Sequence, residues 1–173
     1  MIRRSRLIAL VLMASAAAAI RLFAVGTGAV NLTAINAASA ENFDSLSASG
    51  LSSTLPVGWY FEETGTNANA TYNAGTGSSN AGDTYSFGAA GSTDRAFGGL
   101  QSGSLVPMVG ASFTNGTGQT ITALAIAYTG EQWRLGTAGR ADRLDFQYAP
   151  ARRRRRSRPA PGPTSMPWIS TRR

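Results

Sequence analysis

The chain between residues 29 and 150 consists of short runs in which apolar and polar residues alternate. An alternation with a period of two places every second side chain on one face of a sheet, as in strands that have one face exposed to solvent. No window carries a sustained apolar stripe with the 3.6-residue period of a helix. The pattern predicts an all-β protein, namely an antiparallel β-sandwich or jelly roll. The predicted strands contain Val30 and Leu32, Trp59 and Phe61, Tyr85 and Phe87, residues 105–113, residues 121–128, and Leu144, Phe146 and Tyr148.

Two segments between these runs carry turn and loop signals. Asn115-Gly116 lies between the runs at 105–113 and 121–128, and Asn-Gly readily takes the positive φ angles of a tight turn. It therefore predicts a hairpin that joins those two runs. Residues 64–82 are rich in Gly, Ser, Thr, Asn and Ala and are interrupted by Tyr72. This composition predicts a long surface loop or a loose hairpin.

Charge divides the 173 residues into three parts. Residues 1–28 hold four arginines, residues 151–173 hold eight, and neither part holds an acid. Residues 29–150 hold four arginines and nine acids, which gives them a formal charge of −5. The net charge of +7 therefore comes from the two ends. We predict a leader at 1–28, a β-sandwich module at 29–150 and a disordered Arg/Pro-rich tail at 151–173.

Three missing residue types exclude much chemistry. The chain has no cysteine, no histidine and no lysine. Disulfides, thiolate or imidazole metal sites, Ser-His-Asp triads and phosphate loops that end in Gly-Lys are thereby excluded. Oxygen ligands remain, and these suit Ca²⁺ or Mg²⁺. We predict no catalytic residue and no cofactor-binding residue, and metal ligands stay unknown, with Ca²⁺ as the candidate ion.

The N-terminus has the pattern of an export signal. Arg3, Arg4 and Arg6 precede an apolar run at 7–13, and Ala14-Ser-Ala16 is a candidate cleavage site. The apolar stretch is too short and too rich in alanine for a membrane span. The pattern predicts a secreted or cell-surface protein with no membrane span once the leader is removed. The alternative is a misassigned start codon, with the domain beginning near Gly26.

Five segments occur in the order of a known module. They are Glu41-Asn-Phe-Asp44, Leu55-Pro-Val-Gly-Trp59, Gly82-Asp-Thr-Tyr-Ser-Phe-Gly88, Ser92-Thr-Asp-Arg-Ala96 and Tyr128-Thr-Gly-Glu-Gln-Trp-Arg134. Over residues 28–148 the chain resembles a jelly-roll module of bacterial secreted and cell-surface proteins. That module often precedes lamin-tail domains and extracellular nucleases of the endonuclease/exonuclease/phosphatase type. The resemblance implies a concanavalin-like sandwich without catalysis, because the nuclease chemistry of such proteins lies in another domain.

Past Tyr148 the chain departs from that module. A reading frame shifted by two bases from Ser157 permits a segment that looks like the module's own continuation. In that frame Met166-Pro167 forces Ala and Trp168-Ile169 forces Asp. We hypothesise that the tail is an out-of-frame translation and that the module is truncated at its C-terminus. A strand expected at residues 41–44 would then lack a neighbour, which predicts poor solubility or partial folding of residues 29–150.

The acids are candidates for a Ca²⁺ site or for a glycosidase acid–base pair. Adjacent Glu62 and Glu63 would point to opposite faces of a strand and cannot act as a pair. A solvated acidic face is the favoured interpretation, with local ion pairs of Asp94 with Arg95 and of Asp142 with Arg143. The candidates are Glu62, Glu63, Asp83, Asp94, Glu131, Asp142 and Asp145.

Four aromatic residues are candidates for stacking on sugar rings, namely Trp59, Tyr60, Tyr72 and Trp133. Core packing is the favoured role of Trp59 and Trp133, because each lies in an alternating run. The glycine-rich segment 75–80 is predicted to be a flexible loop and not a phosphate cradle, because no helix pattern follows it.

The favoured function is that of a non-catalytic accessory module of an exported bacterial protein. It would serve surface attachment, adhesion or spacing, with carbohydrate, a cell-surface polymer or Ca²⁺ as candidate partners. One alternative is a fragment of an extracellular nuclease without its catalytic domain. Another is nucleic-acid binding through the arginines of residues 152–158, if the tail is genuine. Trp168 is the single aromatic of the tail, so the tail offers no stacking platform for bases.

Overall fold

The computed structural model describes residues 25–139, residues 141–150 and the backbone of residues 168–172. Every regular element in these residues is a β-strand, which confirms the predicted all-β class. The strands are β1 Val25–Gly26, β2 Val30–Leu32, β3 Leu51–Ser52, β4 Trp59–Thr64, β5 Tyr72–Gly75, β6 Asp83–Phe87, β7 Ala96–Leu100, β8 Val106–Ala111, β9 Phe113–Asn115, β10 Arg143–Phe146 and β11 Trp168–Arg172.

The strands form three sheets. A five-stranded sheet has the order β1-β4-β8-β11-β10, a four-stranded sheet has the order β3-β5-β6-β7, and β2 pairs with β9. The pairing is antiparallel except between β2 and β9 and between β5 and β6, where it is parallel. The predicted antiparallel arrangement therefore holds for most pairs but not for these two.

The two larger sheets face each other across an aromatic core. Phe61 of β4 lies in edge contact with Tyr72 of β5 at 6.3 Å and with Phe97 of β7 at 6.4 Å between ring centroids. Leu46 joins Phe61 and Tyr72 in the buried cluster. Phe61 and Tyr72 have no exposed surface, and burial of one such ring is worth roughly 1.5–3 kcal/mol. These rings join the two layers into a sandwich.

Residues 41–43 are irregular and lead into a turn at Asp44–Ser45, so the predicted strand at residues 41–44 is wrong. Glu41 Oε1 accepts a hydrogen bond from the Phe43 N–H at 2.8 Å, and Asn42 Oδ1 accepts one from the Asp44 N–H at 3.2 Å. Phe43 has a φ angle of +64°. Its ring packs edge-on against Trp59 at 4.6 Å, so the turn inserts an aromatic side chain into the core.

The predicted loop at 64–82 contains a core strand, β5. Tyr72 is completely buried, and its hydroxyl accepts a hydrogen bond from the Ser47 N–H at 3.0 Å and donates one to the Thr54 carbonyl at 2.9 Å. A single inward side chain thus anchors a strand that has no apolar alternation. The prediction of a structureless loop is therefore wrong for Tyr72–Gly75.

The predicted hairpin at Asn115-Gly116 does not form. Residues 120–136 contain no strand, and residues 122–128 are all exposed. Asn115 instead ends β9, which pairs with β2, and its side chain receives the Thr117 N–H at 3.1 Å. Residues 121–128 alternate like a strand but have no partner strand in the part of the chain that is described.

The predicted disordered tail lies mostly outside the described residues. Trp168–Arg172 is an exception, because its backbone forms β11. This strand pairs with β8 through Trp168–Ser170 and with β10 along residues 169–172, both antiparallel. The prediction of disorder is therefore wrong for these five residues.

Candidate functional site

A buried carboxylate, Glu63, lies between the two large sheets. The alternation of β4 places Phe61 and Glu63 on its inner face, and Glu63 is 2% exposed. This corrects the prediction that Glu63 belongs to a solvated acidic face. Glu62 and Glu63 do point to opposite faces as predicted, with Glu62 half-buried on the other side.

Four hydrogen bonds from Thr84 and Asn69 hold the Glu63 carboxylate. Its Oε1 accepts from the backbone N–H and the hydroxyl of Thr84, both at 2.8 Å. Its Oε2 accepts from the backbone N–H of Asn69 at 3.0 Å and from the Asn69 side-chain amide at 3.1 Å. These four donors fix the Glu63 carboxylate in position between the sheets.

Asp83 lies beside Glu63 at the start of β6 and has a strongly perturbed pKa. Partial burial raises the pKa of Asp83 from 3.8 to about 6, together with a hydrogen bond to Glu63 and the negative charge of Glu63. Hydrogen bonds from Thr84 and Asn69 act in the opposite direction but are weaker. Asp83 therefore keeps its proton in mildly acidic solution.

The remaining candidate acids lie apart from this pair. Asp94 and Asp142 are exposed, Glu131 accepts the indole N–H of Trp133 at 2.8 Å, and Asp145 pairs with Arg143 at 2.7 Å. The ion pair shown for Arg143 is thus with Asp145, whereas Asp142 was the predicted partner. No group of three or more acidic, histidine or cysteine side chains suited to a metal occurs among the described residues. Of the candidate acids, Glu63 and Asp83 are the pair that the fold brings together.

A shallow groove of about 210 Å³ lies at the carboxyl ends of the parallel strands β5 and β6. Its walls carry hydroxyl and amide groups, the ring of Tyr85 and one guanidinium. No carboxylate lines it. The polar side chains of its lining are Asn73, Thr76, Ser78, Ser79, Tyr85 and Arg95.

Arg95 is a buried cation at this groove, with 4% of its surface exposed. Its Nε donates to Ser86 Oγ at 2.9 Å, its Nη2 donates to the Ser86 carbonyl, and its Nη1 donates to the carbonyls of Ala89 and Ser92 at 3.4 Å. The predicted ion pair with Asp94 is absent from these contacts, so that prediction is wrong. The guanidinium instead ties the loop after β6 to the strand.

The aromatic candidates separate into core and surface residues. Trp59 packs against Phe43 at the margin of the core, as predicted. Tyr72 is buried, so it cannot stack on a sugar, and the Tyr60 hydroxyl donates to the Gly28 carbonyl at 2.6 Å. Trp133 is not a core residue, and the prediction for it is wrong. It stacks on Phe87 at 6.3 Å with an interplanar angle of 7°.

The segment around Trp133 runs over the outer face of the four-stranded sheet, and Arg134 holds it there. Arg134 Nη1 donates to the carbonyls of Gly77 and Ser78, each at 3.1 Å, and Nη2 donates to Asn80 Oδ1. The glycine-rich segment 75–80, predicted to be a flexible loop, is therefore tied down at three acceptors. This contact also fixes one wall of the groove, because Ser78 lines it.

No family model, no curated protein and no solved structure matches the chain. The resemblance to a jelly-roll module therefore stays a prediction, carried by the segments quoted above. Among the described residues there is no helix with the length and apolar character that a membrane crossing requires. The predicted leader at 1–28 lies outside the described residues except for its last four positions.

Proposed function

We propose that the chain is a non-catalytic binding module of an exported bacterial protein, and that it attaches to a carbohydrate polymer of a surface through the groove beside Arg95. The observation that carries this proposal is the groove lining. Hydroxyl groups of Thr76, Ser78 and Ser79 and the amide of Asn73 are the groups that recognise sugars. They converge at one edge of the sheet.

The position of the carboxyl groups argues for binding and against glycoside hydrolysis. Hydrolysis of a glycosidic bond generally needs two carboxyl groups that flank it. The pair in this molecule, Glu63 and Asp83, lies between the sheets, and both oxygens of Glu63 accept hydrogen bonds from the protein. The groove lining has no acid. The structural role of the pair is therefore to join the sheets.

Export is supported by the sequence pattern of the N-terminus, where arginines precede an apolar run and a small-residue cleavage motif. Expression of the full chain in a bacterial host tests it. We expect mature protein outside the cytoplasm, with a new N-terminus after residues 14–19. A full-length chain that stays in the cytoplasm would contradict this part of the proposal.

Affinity electrophoresis of the full chain tests groove binding. The chain is run through gels that contain soluble bacterial or plant polysaccharides, and retarded migration reports binding. Ala90 is exposed and lines the groove, so Ala90→Trp fills it without touching the core. We expect this variant to lose the retardation, whereas Ala141→Trp, at an exposed site away from the groove, keeps it. Equal retardation of the two variants would refute groove binding.

The arginine-rich ends provide the rival function, nucleic-acid binding. Contacts of arginines with phosphates weaken steeply as the salt concentration rises. Binding of duplex DNA that is salt-sensitive, and that vanishes on deletion of residues 151–173, would favour that function over the groove.

A further inference from the structure

Arg95 has an unused donor. A guanidinium carries five N–H groups, and the contacts of Arg95 account for four of them. All of the acceptors are carbonyl or hydroxyl oxygens of Ser86, Ala89 and Ser92, which are neutral. The fifth N–H belongs to Nη2, the nitrogen that already donates to the Ser86 carbonyl.

The charge of Arg95 is also uncompensated. Buried charges in proteins are normally paired with an opposite charge, because neutral dipoles replace only part of the lost hydration. None of the contacts of Arg95 is with a carboxylate, although Asp94 is its neighbour in the chain. The groove that Arg95 lines has no acidic residue in its walls. An anion in the groove would supply the missing charge.

We propose that the groove binds an acidic saccharide, whose carboxylate or sulfate group lies against Arg95. This inference rests on the proposed function, since it names the ligand class of the same groove. The remaining N–H and the positive charge of Arg95 suit one oxygen of an oxyanion, and the hydroxyls of Thr76, Ser78 and Ser79 suit the sugar hydroxyls. The volume of about 210 Å³ lies below the roughly 300–1,000 Å³ of drug-sized pockets, so the groove holds a single sugar unit of a longer polymer.

The experiment compares neutral dextran, dextran sulfate and polygalacturonate in affinity electrophoresis of the full chain. Dextran and dextran sulfate share a backbone, and the two acidic polymers separate sulfate from carboxylate recognition. Ala90→Glu places a negative charge at the groove and leaves the hydrogen bonds of Arg95 intact. We expect Ala90→Glu to weaken binding of at least one acidic polymer about tenfold or more through charge repulsion. Ala141→Glu, which adds the same charge at an exposed site elsewhere, controls for net charge.

Arg95→Lys is a second variant, because it keeps the charge and removes the guanidinium N–H groups. We expect it to weaken binding of the acidic polymer as well, and a circular dichroism spectrum shows whether it is folded. Should it fail to fold, the two glutamate variants still decide the question, since neither removes a contact of the core.

The outcomes separate the two proposals. If Ala90→Glu and Ala141→Glu reduce binding of the acidic polymers equally, the binding comes from the arginines at the chain ends. That result would overturn this inference. A second outcome is that neutral dextran retards the chain as much as the acidic polymers do, with Ala90→Trp abolishing the effect. That outcome would support the proposed function and refute the acidic ligand. No retardation by any polysaccharide would refute both.

Discussion

The carboxyl group of Asp83, the first residue of β6, lies against the carboxyl group of Glu63 on β4, so that a contact between two acids joins the two large sheets. Such a contact is favourable only when one of the acids holds a proton. Asn69 and Thr84 donate to both oxygens of Glu63, and the pKa of Asp83 is raised to about 6. The proton therefore belongs to Asp83, and the strength of the contact depends on pH.

The first prediction is a loss of stability as the pH rises. Folded Asp83 keeps its proton up to about pH 6, whereas in the unfolded chain it releases the proton near 3.8. The folded state therefore binds more protons in this window, and a rising pH favours unfolding. The contribution is complete below pH 3.8 and is lost as the pH passes through about 6.

Asp83→Asn provides the comparison, because asparagine can donate to Glu63 at every pH. We expect the Tm of the wild type, relative to that of Asp83→Asn, to fall between about pH 4 and about pH 7. Differential scanning calorimetry measures it. Parallel Tm curves for the two proteins would show that Asp83 does not titrate in this window.

The second prediction concerns Glu63 itself. Glu63→Ala would leave the two donors of Thr84 and the two of Asn69 without their buried acceptor. We expect it to lower the free energy of unfolding by about 3 kcal/mol or more. Glu62→Ala, on the opposite face of the same strand, should cost at most about 1 kcal/mol. Urea titrations followed by circular dichroism measure both, and similar costs would contradict the buried role of Glu63.

The third prediction concerns the contact between Gly77 and Trp133. Gly77 has a φ angle of +82°, and a Cβ atom there would overlap with the Trp133 carbonyl. We expect Gly77→Ala to displace the segment at Trp133, to shift tryptophan fluorescence towards the red and to speed tryptic cleavage after Arg134. Gly91→Ala is the matched control, because Gly91 has a φ angle of +75° but nothing within 4 Å of its Cβ position. If both variants behave alike, backbone strain and not the contact is responsible.

The fourth prediction concerns self-association. Leu124, Ile126 and Tyr128 are between 48% and 57% exposed, alternate along the chain and lie in a span, residues 96–130, without any charged side chain. Such a segment favours pairing with another copy of itself. We expect Ile126→Lys to reduce aggregation on concentration or mild heating, and Thr66→Lys, which adds the same charge elsewhere, to have little effect. Light scattering measures it, and equal aggregation of both variants would contradict the prediction.

The sequence was sufficient to find β4 and β6 but not the orientation of β6. Alternation located both strands, yet Tyr85 and Phe87 lie on the face that Trp133 covers, whereas Thr84 and Ser86 lie on the opposite face and are completely buried. The reversal has a physical cause: Thr84 donates to Glu63 and Ser86 accepts from Arg95. Hydrophobicity alone assigns the aromatic face to the core, and it fails where buried charges require hydroxyl partners.

The sequence did not predict strand β7, because glycines stand at positions where large apolar side chains would have produced the alternating pattern of a strand. Phe97 is its inward aromatic residue, and a Cβ atom on Gly99 would overlap with Pro107 of β8. The sheets approach closely there, so a small residue is needed where a pattern search expects a large one. The Glu63–Asp83 pair could not be predicted either. Its members are far apart in the sequence, and only the packing of two sheets places them together.

The hydroxyl of Tyr72 contacts the backbone on both sides of β3, at Ser47 and at Thr54. One oxygen atom thus holds the chain on both sides of β3, an edge strand of the four-stranded sheet. Tyr72→Phe would keep the core packed but remove the hydrogen bonds to Ser47 and Thr54 that hold β3 in place. The edge of this sheet therefore depends on one buried hydroxyl group in addition to the backbone hydrogen bonds between β3 and β5.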